Sequence, residues 1–147
     1  MSKIILYLED DANMREHTTA FLKEEGYTVE DFQRIDQVKA YFKKYAQEIG
    51  CIVTDLNMSD EWLGEYQNES DGCILSGWAW LQHYVYNTMP DMPTVIYSGY
   101  IPYLKDYLGK NHLLHLYNRD NLFFVGKGGE EGEGFEELKR VLKKLLK

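Results

Sequence analysis

The sequence predicts an α/β domain built on a doubly wound, five-stranded parallel sheet with helices on both faces. Two observations carry this expectation. First, short apolar runs alternate with segments of helical spacing along the chain, the pattern that strand–helix–strand crossovers produce. Second, four of the runs end in residues that handle phosphate or a hard cation. Ile4 to Leu8 leads into Glu9, Asp10 and Asp11; Cys51 to Thr54 leads into Asp55; Thr94 to Tyr97 leads into Ser98; Leu122 to Val125 leads through Gly126 to Lys127. In a parallel sheet these ends meet at one carboxyl edge, where open α/β sheets place their ligands.

Each element has its own local justification. After the first run, Met14, Thr18, Phe21 and Leu22 share one helical face within 13–25, Asp11 is placed to cap the start, and Gly26 supplies the stop. Residues 27–32 alternate like a short strand. Asp36 is expected to cap a second helix carrying Val38, Tyr41, Phe42, Tyr45 and Ile49, which feeds the run ending at Asp55. From about 59 to 76 the pattern breaks into Asp, Glu, Asn, Gly and Ser with a few bulky apolar residues, and a long loop is expected, of the length that is usually functional or mobile. Helical spacing resumes over 77–87 through Trp78, Leu81, Tyr84 and Val85, and MPDMP punctuates the chain before the strand ending at Ser98. Residues 102–119 are expected to be helical or irregular, with a break at Gly109. After the fifth strand, GKGGEEGEG reads as a flexible connector, since it lacks the Gly-Lys-Ser/Thr ending of a phosphate loop. The final helix, 135–146, places Phe135, Leu138, Val141, Leu142 and Leu145 on one face, with acids early and lysines late as the helix dipole prefers.

Composition limits the function. A chain of 147 residues fits a single domain, 1–147, large enough to bury a core without staples. A formal net charge of -8 argues against general nucleic-acid binding, which rests on clustered Lys and Arg. The five apolar residues before the first acids are too few for a secretion signal or a membrane span, and Cys51 and Cys73 form no CxxC or disulfide framework, so a cytoplasmic protein without a membrane partner is expected. The tryptophans and tyrosines are expected mainly in the core, and His112 and His115 lack the company a metal site needs.

Glu9, Asp10 and Asp55 make a partial oxygen shell of the kind Mg²⁺ takes, with waters completing the octahedron. Clustered carboxylates repel one another until a cation binds. A carboxylate beside Mg²⁺ can also attack phosphorus while a lysine, here Lys127, neutralises the transferring group and Ser98 hydrogen-bonds it.

LYLEDD, TDLNM, YSG and FFVGK, in that order and spacing, resemble the motifs of the receiver domain of two-component response regulators, and the resemblance covers almost the whole chain. It implies a CheY-like, flavodoxin-like fold and a signalling domain that is not an enzyme. Asp55 would accept the phosphoryl group, Glu9, Asp10, Asp55 and the backbone carbonyl of Asn57 would hold Mg²⁺, and Ser98 and Lys127 would contact the phosphoryl group. Ser98 and Phe124 would form the switch pair, with Phe124 offering no hydroxyl where an aromatic ring rotates inward. The implied partners are a histidine kinase or phosphotransfer protein and an unknown downstream protein, reached by contact because no output domain follows the last helix. Homodimerisation through the fourth helix and fifth strand is left open by family analogy. Ser59 replaces the proline usual after the motif's Met, and Gly128 replaces the cis proline usual after the Lys, so both loops depart from the pattern.

Two other readings fit the same residues. A pseudo-receiver would use the fold as a constitutive docking surface. A Mg²⁺-dependent phosphatase of the haloacid dehalogenase type would need two Asp separated by one residue after the first strand, and Ala12 stands two residues after Asp10.

Overall fold

The computed structural model describes residues 3–127 and 133–146. Its strands are β1 (Ile4–Leu8), β2 (Thr28–Phe32), β3 (Ile49–Thr54), β4 (Thr94–Ser98) and β5 (Leu122–Gly126), all parallel, in the order β2-β1-β3-β4-β5. Helices α1 (Ala12–Glu24), α2 (Ile35–Tyr45), α3 (Ser76–Trp80), α4 (Ile101–Lys110), the short α5 (Leu114–Tyr117) and α6 (Glu133–Leu145) complete it. Because strand side chains alternate, each strand feeds two cores. Ile5, Tyr7, Cys51, Val53, Val95 and Val125 pack toward Leu22 of α1 and Leu138 and Leu142 of α6. Leu6, Leu8, Ile52 and Ile96 pack on the other face with Val38 and Phe42 of α2, Trp80 of α3 and Leu104 of α4. The doubly wound architecture expected from the alternation is the one observed, and both Trp78 and Trp80 are core residues. Cys51 and Cys73 are free thiols. Among the described residues no helix is long and apolar enough to cross a membrane.

Several local expectations are corrected. Asp11 does cap α1, accepting the Met14 N–H at 2.9 Å. Asp36 does not cap α2: Arg34 occupies the cap position, and Asp36, in the first turn, pairs with the Arg34 guanidinium at 3.0 Å. The bidentate ion pair outcompetes a backbone bond for the same carboxylate. α4 runs through Gly109, and the chain reverses at His112, whose φ of 58° is left-handed. The turn at Gly128, and most of the Gly-Glu connector, lie outside the described residues.

The segment expected as a long loop is largely folded. Residues Glu61–Ser70 form 3-10 turns kinked at Gly64, where φ is 60° and ψ -125°. Asp60 ties the two ends together, accepting from Ser70 Oγ at 2.5 Å and Gln67 Nε2 at 3.2 Å, and the Ser70 bond chiefly holds its carboxyl below the usual range. Leu63 inserts into the core, Tyr84 donates to the Leu63 carbonyl at 2.9 Å, and the Tyr66 ring stacks on His83 with centroids 3.7 Å apart. Its apolar residues do the anchoring, as the helical period that would have revealed them is absent from 3-10 turns this irregular.

Candidate phosphoacceptor site

The parallel ladders continue one residue past the strands and set the site's backbone. Glu9 N–H donates to Phe32 O at 3.0 Å, Asp55 N–H to Leu8 O at 3.0 Å, and Lys127 N–H to Ser98 O at 3.2 Å. Three strand ends thereby place Glu9, Asp55 and Lys127 at one edge, as expected from the order of the runs. Lys127 Nζ bridges the two acids, donating to Glu9 Oε1 and to Asp55 Oδ2, the latter at 2.7 Å. Asp55 Oδ1 accepts the Leu56 N–H at 2.6 Å, so one oxygen is held by the backbone and the other faces Lys127. The Thr54 hydroxyl donates to the Asp55 carbonyl at 2.9 Å from beneath.

Glu9 is almost completely buried, with 1% of its surface exposed. Burial first, and then the charge of Asp55, push its carboxyl up to about 7, against the opposing pull of Lys127. Partial burial and then Asp55 also raise Asp10, which stands on the exposed rim. For Lys127, burial acts to lower the ammonium, and the charges and hydrogen bonds of Asp55 and Glu9 outweigh it and raise it. Its ammonium also lies 5.4 Å from the ring centre of Tyr97. Arg15 fixes the turn below by donating to the Glu9 carbonyl at 2.9 Å.

Ser98 and Asn57 fall on the same edge with less direct contact, and Phe124 lies behind it. Ser98 is wholly buried at the end of β4, its Oγ accepting the Tyr100 N–H at 3.1 Å. Asn57 is half-buried two residues beyond Asp55, and its carbonyl accepts no hydrogen bond among the described residues. Phe124 sits further back on β5, opposite Ile96, and stacks on Tyr117 at 4.0 Å and 10°.

The donor set suits a divalent cation by charge. Glu9, Asp10 and Asp55 set against Lys127 leave two negative charges when all are ionised, and hard carboxylate and carbonyl oxygens are what Mg²⁺ prefers. In this structure Glu9 is turned to Lys127, and among the described residues no three His, Cys, Asp or Glu side chains already converge as a cation cage. Asp10, Asp55 and the Asn57 carbonyl remain as the oxygens through which a mostly hydrated Mg²⁺ fits.

One site residue was invisible in the sequence. Gly77 opens α3 with its N–H donating to Leu56 O at 2.9 Å, and a Cβ there would lie 1.9 Å from the Asp55 carbonyl oxygen. A glycine at a helix boundary carries no sign of such an approach. Its only trace is a glycine in the first turn, where Ala would make the better helix.

Glu9 also gives the site a pH dependence. A carboxyl raised in the folded state contributes stability below the unfolded value, near 4.5, that is lost as pH rises through about 7. Glu9→Gln mimics the protonated form. Without Mg²⁺, its stability relative to wild type, from urea denaturation, is expected to rise by about 3 kcal/mol between pH 4.5 and pH 8. A pH-independent difference would show that Glu9 ionises freely.

The fold is that of receiver domains. The structure matches a response regulator receiver domain protein from Clostridium thermocellum with a TM-score of 0.69 at 16% identity, over 98% of this chain and 94% of that one. It matches the receiver domain of the hybrid histidine kinase CckA with a TM-score of 0.64 at 17% identity, over 98% and 99% of the two chains. The response regulator TrrA from Thermotoga maritima, solved in complex with Mg²⁺-BeF, matches with a TM-score of 0.61 at 23% identity, over 98% and 99%. No protein-family model and no curated protein matches the sequence.

Proposed function

We propose that the protein is a response-regulator receiver that takes a phosphoryl group from a phosphohistidine onto Asp55. The observation that carries this reading is the contact of Lys127 with both Glu9 and Asp55 at the carboxyl edge of a receiver fold. Leu56 N–H fixes Asp55 Oδ1, which leaves Oδ2 as the nucleophile once Lys127 moves from it to the incoming phosphoryl oxygens. The Oδ2–phosphorus bond forms as the phosphorus–nitrogen bond to the donor imidazole breaks, and the imidazole keeps the electron pair and takes a proton from solvent. Ser98 turns its hydroxyl from Tyr100 N–H toward a phosphoryl oxygen. Asp10, Asp55 and the Asn57 carbonyl would hold Mg²⁺, with Glu9 behind them, and the ion would neutralise charge on the transferring group.

A histidine kinase or phosphotransfer protein is the donor this reading assigns, and the output is a change of surface read by a downstream protein. A change at Ser98 reaches α4 directly, because Tyr100, whose N–H it holds, is the cap residue of that helix. Phe124, stacked on Tyr117, is the aromatic residue proposed to respond, by a shift between pre-existing packings.

The Lys127 bridge also favours a second reading, because it partly neutralises Glu9 and Asp55 without a cation: a constitutive docking module that is never phosphorylated. Intact-mass spectrometry after incubation with acetyl phosphate and Mg²⁺ separates the two. The receiver reading expects one phosphoryl adduct, absent in Asp55→Asn and not formed when Mg²⁺ is chelated beforehand. No adduct in the wild type, or an equal one in Asp55→Asn, overturns it.

A further inference from the structure

The Glu9 carbonyl oxygen and the Asp10 nitrogen belong to one planar peptide group. Whatever holds that oxygen therefore sets the direction in which the chain enters Asp10. Arg15 holds it. The side chain reaches back from the first turn of α1, and Nη1 donates to Glu9 O at 2.9 Å. The same guanidinium is fixed from another side, with Nε 3.4 Å from Asp31 Oδ2 near the end of β2. The Arg15 side chain is 19% exposed, so this fork between α1, β2 and the acidic turn is largely enclosed.

The turn is pinned on both sides of Asp10. Glu9 N–H donates to Phe32 O at 3.0 Å, Asp11 N–H donates to Glu9 Oε2 at 3.3 Å, and Asp11 caps α1 through the Met14 N–H at 2.9 Å. Asp10 itself stands on the exposed rim, and its carboxylate enters no ion pair among the described residues. Its placement is thus left to the backbone, and among the described residues Arg15 is the donor that holds the Glu9–Asp10 peptide group by its carbonyl.

We infer, resting on the reading of this edge as a Mg²⁺ site, that Arg15 is a positioning residue for the cation. Its fork between Asp31 and the Glu9 carbonyl orients the Glu9–Asp10 peptide and so keeps the Asp10 carboxylate ready as a ligand. Charge and geometry make opposite predictions for its removal. A guanidinium beside a cation site repels the cation, so deleting it would tighten Mg²⁺ binding if charge were its whole contribution. Deleting a group that orients a ligand loosens the metal, typically by about 10–100-fold.

Titration of the full chain with Mg²⁺, followed through the backbone amide resonances of Asp10 and Asn57 in nitrogen-resolved NMR, reads the affinity without any phosphoryl transfer. Arg15→Met should raise the Mg²⁺ dissociation constant by about tenfold. Arg15→Lys keeps the charge but cannot span both partners with one planar group, and should fall between the wild type and Arg15→Met. In acetyl phosphate labelling, Arg15→Met should need about tenfold more Mg²⁺ for half-saturation while its rate at saturating Mg²⁺ stays within about twofold of wild type. A purely structural role would lower stability in urea and leave the Mg²⁺ dissociation constant unmoved. Unchanged or tighter Mg²⁺ binding by Arg15→Met, or wild-type binding by Arg15→Lys, overturns the inference and leaves the receiver reading standing. A wild type whose resonances do not respond to Mg²⁺ overturns both.

Discussion

Gly77→Ala is expected to destabilise the protein by about 3 kcal/mol and to disable the site together. The added Cβ would sit 1.9 Å from Asp55 O, 3.0 Å from Asp55 C and 3.2 Å from Leu56 Cα, all backbone atoms with no rotamer through which to yield. Either α3 withdraws, opening the core around the buried Trp78 and Trp80, or the Asp55 backbone moves. The first outcome costs packing. The second displaces the nucleophile from Lys127, and a shift of about 1 Å can cost roughly 10²-fold in rate. Urea denaturation and the rate of acetyl phosphate labelling measure the two effects. A variant within about 0.5 kcal/mol of wild type and labelled normally would contradict the close approach of α3 to the acceptor loop.

Lys127→Met should be the other large effect, and it should depend on pH. The side chains of Glu9 and Asp55 are 1% and 10% exposed, and Lys127 is the cation bridging them. Removing one partner of a buried ion cluster costs about 3–5 kcal/mol, because the remaining charges stay desolvated and unpaired. Protonation of Glu9 relieves much of this. Loss of Lys127 removes the interaction that opposes the upward push on Glu9, so its folded-state value moves above about 7. A folded carboxyl raised further loses more stability as pH rises, so the deficit of the variant should be small near pH 4.5 and reach several kcal/mol at pH 8. Mg²⁺ should recover part of the deficit at pH 8. Paired denaturation curves at the two pH values, with and without Mg²⁺, read this directly, and a deficit equal at both would mean that the bridge carries no such charge balance.

The sheet was legible because its information sits in residue identity at strand ends. Five apolar runs in alternation specify a parallel order, and the chemistry of Glu9, Asp55, Ser98 and Lys127 marks which edge they share. The helix ends were legible only where a single side chain decides them. Asp11 caps α1 as its position suggests, whereas Asp36 has a guanidinium two residues away and is taken by it. Gly109 costs little inside α4 because the helix packs through Leu104 and Leu108, and packing overrides propensity.

The segment around Glu61–Ser70 shows what periodicity misses. Its order comes from long-range partners, Tyr84 with Leu63 and Lys39 with Trp62, and from the Asp60 bonds across its base. The Tyr103 hydroxyl donates to Asp71 Oδ2 at 2.5 Å, linking the end of this segment to α4. None of these pairs is encoded in local spacing. The candidate site divides in the same way: the acids and the lysine were readable, while the bridging position of Lys127 and the approach of Gly77 depend on the folded backbone.

The central claim is that Asp55 and Lys127 form a working phosphoryl pocket. Fluorine NMR of the full chain with beryllofluoride, a mimic of the aspartyl phosphate, tests it most directly, with and without Mg²⁺ and with Asp55→Asn alongside. A saturable bound-fluoride signal that requires Mg²⁺ and disappears in Asp55→Asn is the predicted result. Absence of bound fluoride in the wild type, with the protein folded and Mg²⁺ present, would contradict it and leave the constitutive docking module as the reading to pursue.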